Sequence, residues 1–73
     1  SRSLMAEMRT FEKVLERRYI SELQIKCREE ELDLQQRRAA ATNNPSEMNR
    51  LKHQKLLSCE KLQSIGVKAT TSN

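Results

Sequence analysis

Seventy-three residues make one small domain, a size at which a chain buries only about 60% of its unfolded surface, so stabilisation from outside the chain is expected. With 33% charged residues, 3% aromatics, one glycine and one proline, the composition excludes a strand-rich fold and favours long helices with solvated faces. The net charge of +4 would suit nucleic acid only if it were clustered, and EKVLERR (12–18) and IKCREEELDLQQRR (25–38) interleave both signs, leaving RLKHQKLL (50–57) as the one net-basic stretch.

The first predicted element is an amphipathic helix over residues 3–41, with Ser3 as its cap. Leu4, Met8, Phe11, Leu15 and Tyr19 follow one another at helical spacing and hold to a stripe about 80° wide. The stripe continues through Leu23, Cys27 and Leu34, drifting round the cylinder because four-residue steps from Phe11 to Cys27 put a stutter into the heptad. Val14, Ile25 and Leu32 form a second apolar line on a different side. Glu22 with Lys26 and Asp33 with Arg37 stand in the acid-first order that supports a helix.

A turn is expected at residues 42–44. Asn44 precedes a proline, which pushes it to the extended backbone of an N-cap; Pro45 then occupies the first helical position, and Glu47 can reach back to the Asn44 backbone. The second helix is read as residues 45–65, running through Met48, Leu51, Cys59, Leu62 and Ile65. Gly66 stops it, with Val67 placed to pack on Leu62 in a Schellman ending, and residues 66–73 are read as a frayed polar tail.

A three-residue turn joins antiparallel neighbours, so the predicted fold is all-α, an antiparallel helical hairpin of coiled-coil type. Residues whose numbers sum to about 86 should then face one another, pairing Cys27 with Cys59, Leu23 with Leu62, Ile20 with Ile65 and Leu34 with Leu51. At 1.5 Å per residue the first helix spans about 58 Å and the second about 31 Å. The ladder from Leu4 to Tyr19 therefore has no partner within the hairpin, and a second chain is expected to cover it, giving a helical bundle.

Nothing in the chain forms a catalytic set. His53, between Lys52 and Lys55, reads as a solvated position. Cys27 and Cys59 read as small core residues or a disulfide pair, without the further ligands that zinc requires. Glu29, Glu30, Glu31 and Asp33 read as a solvated face. No phosphate loop or nucleophile motif is present, so an enzyme is not expected, and neither is a cofactor or metal.

The segment ISELQIK (20–26) resembles part of the first helix of Rho-binding HR1 hairpin repeats over seven residues, and departs from them at CREEEL (27–32). That resemblance implies an alternative in which the hairpin offers one face to a small GTPase. The leading expectation is a non-enzymatic oligomerisation or scaffolding module that binds itself, as a homodimer, or a partner coiled coil. Its interface would be Leu4, Met8, Phe11, Leu15 and Tyr19 with Val14, Ile25 and Leu32. Nucleic-acid contact ranks third. With two cysteines, no signal peptide and no membrane-spanning run, an intracellular piece of a larger protein is expected.

Overall fold

The computed structural model describes residues 2–67 and is all-helical there. Helix α1 runs unbroken from Arg2–Ala40, and α2 (Pro45–Lys52) and α3 (Leu57–Ser64) form a bent second arm that returns along it. The whole is a rod of 65 × 18 × 18 Å. Helix α1 already begins at Arg2, so Ser3 lies within its first turn and is not the cap. Residues 68–73 of the expected tail lie outside the described residues.

The turn forms through local polar groups. Ala41 N–H donates to the Arg37 carbonyl at 3.0 Å, Asn44 N–H to that of Ala41 at 2.9 Å, and the Thr42 hydroxyl to that of Ala39 at 2.8 Å. Asn44 is extended (φ −128°, ψ 90°) and its Oδ1 accepts from the Glu47 N–H at 3.1 Å, with Pro45 beginning the helix. The reciprocal half of the expected capping box is replaced: the Glu47 carboxylate turns to Arg50, whose Nε donates to Oε2 at 2.9 Å.

The second arm departs most from expectation. In place of one helix over 45–65, α2 stops at His53, and His53 and Gln54 bond three residues back, to Arg50 and Leu51. In a straight helix Leu56 would stand about 140° round from Leu51, away from α1. The break instead lets Leu56 pack on the cluster of Leu34, Ala41 and Leu51. Restarting a helix leaves amide protons without partners. Leu56, at the N-cap of α3, supplies no side-chain acceptor, and the carboxylate of Glu30 on α1 takes that place, accepting from the Ser58 N–H at 3.1 and 3.4 Å. Glu30 is therefore a half-buried cap delivered from another helix, not part of a solvated face.

The end of α3 follows the Schellman pattern. Gly66 has φ 81°, its N–H bonds the Gln63 carbonyl at 3.1 Å, and the Val67 N–H bonds that of Leu62 at 2.8 Å. Val67 thereby packs on a second cluster of Leu23, Cys27 and Leu62, joined by Ile20 and Cys59. Met48 flanks the first cluster. Ile65, expected opposite Ile20, is 49% exposed, because the left-handed turn at Gly66 carries Val67 into that place.

These ends set measurable stabilities. Asn44→Ala and Glu30→Ala should each lower the free energy of unfolding by about 0.5–2 kcal/mol, as lost N-caps do. A Cβ at Gly66 meets no atom within 4 Å, so Gly66→Ala should cost about 1 kcal/mol from the left-handed backbone alone. Urea unfolding followed by circular dichroism reads all three, and a Glu30→Ala midpoint equal to the parent would show that α3 begins without its cap.

Candidate partner-binding surface

Val67, the last described residue, packs on the same cluster as Ile20. Every residue of α1 from 3 to 19 is exposed. On that half of the helix Met8, Phe11, Leu15 and Tyr19 are between 48% and 63% exposed, and Leu4 lies at 57% on the same stripe. A helix wheel puts the five within about 80°. Val14, Ile25 and Leu32 are likewise exposed and flank this stripe on the side away from the second arm, so that the two lines make one apolar arc along α1. Phe11 and Val14 together border a shallow apolar depression with Ala6, Glu7 and Thr10. Met5, also exposed, was not marked by the spacing because it lies about 100° round from Leu4, just outside the stripe.

The residues assigned to the seam between the arms separate by depth. Leu23, Cys27, Leu34, Leu51 and Leu62 are buried, Ile20, Met48 and Cys59 half-buried, and Ile65 exposed. Ala41 and Leu56 join them without having been foreseen: Ala41 is a small residue at a helix end, and Leu56 faces inward only because the arm bends. Leu57, beside it, is exposed.

Cys27 and Cys59 are bonded as a disulfide across the seam, with their Cα atoms 4.8 Å apart. Glu31, one turn along from Cys27, brings a carboxylate oxygen so close that it and the two sulfurs all lie within 4.8 Å of one another. That trio has the donor types of a metal site, but both sulfurs are spent on each other and no thiolate is left to ligate. His53 is exposed, with its Nδ1 2.9 Å from the Asn49 carbonyl. The ion pairs among the described residues, Arg37 with Asp33 at 2.9 Å and Arg50 with Glu47, lie at the surface. The hydrogen bond from Arg50 holds the Glu47 carboxyl below its ordinary pKa. Its small contribution is thus present at neutral pH and is lost as acid brings the pH down through the lowered folded value. No described helix is long and apolar enough to cross a membrane.

The match to a family model extends over residues 1–62, spanning the exposed half of α1, the turn, the bend and most of α3. The chain belongs to the DUF1977 family, described as a domain of unknown function. No curated protein and no solved structure matches it. The family match therefore covers both features singled out by geometry, the apolar arc and the cysteine pair.

The disulfide closes a loop with a sequence separation of 32. Cross-links of that span stabilise by about 3–4 kcal/mol through the unfolded chain. Replacing both cysteines with serine should lower the unfolding free energy by an amount of that order, read by urea titration. An unchanged midpoint would mean that the seam is held by its apolar clusters alone.

Proposed function

We propose that this chain is a non-enzymatic helical interaction module that pairs the exposed half of α1 with another helix, in the first place that of a second copy. The observation behind this reading is the unbroken exposure of residues 3–19, which carry Met8, Phe11, Leu15 and Tyr19 on one stripe. Full burial of a side chain of this kind is worth about 1.5–3 kcal/mol, so four of them form a strong incentive to associate. An apolar strip that long, rimmed by charge, is what a partner interface presents before it is filled.

The charges beside the strip favour a second copy over a strongly charged partner. Glu7, Glu12 and Glu16 alternate with Arg9, Lys13, Arg17 and Arg18, and a mixed surface of this kind can complement itself across a symmetric interface. A nucleic-acid groove would want one sign, together with a reading face that these residues do not make. In the assembly the two returning arms lie outward from a central pair of α1 segments, an antiparallel or parallel coiled coil flanked by two hairpins. Such a module would join two copies of whatever longer protein carries it.

Replacing Phe11 and Leu15 together by aspartate tests the reading. Two unpaired carboxylates at the middle of the strip should abolish association, seen as a fall to the monomer mass in light scattering. The parent should also melt at lower temperature on dilution, since association stabilises by mass action. A double variant that keeps the parent's mass would move the interface to Val14, Ile25 and Leu32. A parent that is monomeric at every concentration would overturn self-association and leave the strip to a different, globular partner.

A further inference from the structure

We propose that the Cys27–Cys59 disulfide is a resident structural bond, guarded against reduction by burial and by Glu31, and that the chain accordingly works in an oxidising compartment. This does not depend on the docking reading. The expectation of an intracellular setting rested on two cysteines being too few for the dense disulfide frameworks of small secreted domains; their pairing gives them a different weight, because bonds of this kind persist where thiols are kept oxidised and are rare in the cytosol.

The burial of the two sulfurs differs. Cys27 is 0% exposed, within the cluster of Leu23 and Leu62, whereas Cys59 is half-buried. Reduction by a thiol such as glutathione proceeds in two exchanges. A glutathione thiolate attacks Sγ of Cys59, the more accessible sulfur; the sulfur–sulfur bond breaks, a mixed disulfide forms at Cys59, and Cys27 departs as a thiolate that then takes a proton. A second glutathione thiolate attacks the glutathione sulfur of the mixed disulfide, releasing Cys59 as thiolate and glutathione disulfide, so that two electrons and two protons end on the protein. Closure is the reverse, with glutathione disulfide as the two-electron oxidant.

Both charged species of the first exchange are disfavoured here. The departing Cys27 thiolate would form in an apolar cluster, where desolvation disfavours a charged sulfur and so opposes its departure. The Glu31 carboxylate, within 4.8 Å of both sulfurs, repels the incoming thiolate and the departing one alike. A redox sensor has the opposite surroundings, an accessible sulfur beside positive charge. The bond is consequently reduced much more slowly in the folded chain than once α3 lifts from α1.

The test follows free thiols by maleimide mass shift while the folded chain stands in a reducing glutathione buffer, with and without mild denaturant. Native reduction should be slower than in denaturant by about tenfold or more, and Glu31→Gln, a change at an exposed position, should speed native reduction about two- to threefold. Equal rates in buffer and in denaturant would overturn the guarded staple, and equal rates for Glu31→Gln and the parent would overturn the part given to the carboxylate. Alkylating thiols in the intact cells that make the protein, before lysis, should find Cys27 and Cys59 blocked; free thiols there would overturn the compartment assignment.

Discussion

The bond between Cys27 and Cys59 fixes which levels of the two arms can meet, and the rest of the packing follows from it. Helices α2 and α3 have eight residues each, well below the length at which an isolated helix holds its shape in water. Each is anchored by a cluster of only three buried apolar residues. What those clusters lack in area is supplied by two fixed points, the capped turn at Asn44 and the disulfide some fifteen residues on, between which the second arm has little freedom to slide. A shift by one residue would separate the sulfurs and would carry Leu51 and Leu62 away from Leu34 and Leu23 together.

Bending the second arm resolves a conflict between helical periodicity and burial. The sequence from Leu51 to Leu62 asks for an inward side chain midway, and a continuous helix would place Leu56 on the far side. Breaking the helix brings Leu56 inward at the expense of new unsatisfied amides, one of which Glu30 then serves. Arg38 reaches toward the other side of the break, its Nη2 3.5 Å from the Leu51 carbonyl. The interior is small enough that one leucine decides the backbone path, and polar groups of the long helix close the ends that this path exposes.

How much of this could be read beforehand depended on whether the signal was local. The Asn44-Pro45 start and the Gly66-Val67 stop are short motifs whose geometry is set by the residues themselves, and they stand where their chemistry puts them. The register sum of about 86 came from the turn and held through Cys27 with Cys59 and Leu34 with Leu51. The break at residues 53–56 was not legible, since Lys52, His53, Gln54 and Lys55 contain no helix breaker. Its cause lies in a contact with α1, and tertiary packing overrides propensity without leaving a mark in the segment itself. Glu30 was hidden for the same reason: among three consecutive glutamates only the fold distinguishes the one whose carboxylate caps α3. Of the candidate surface, the stripe was legible because 3.6-residue spacing needs no partner to be recognised, whereas what covers it is information held by another molecule.

The unequal arms acquire a physical sense once α1 is treated as one continuous helix. Nucleation is the unfavourable step in helix formation and extension from an existing turn is not. The part of α1 clamped between the turn and the disulfide therefore acts as a standing nucleus from which residues 3–19 continue, although none of the described residues of the second arm covers them. A free peptide with the same stripe would have to order itself on binding, at a cost of about 1–2 kcal/mol per residue in backbone entropy. Presented as the extension of a packed helix, the stripe reaches its partner with most of that ordering already done. The short arm thus contributes to binding without touching the partner, and the cysteine bond that holds the short arm in place bears on a surface lying up to about 35 Å along the rod.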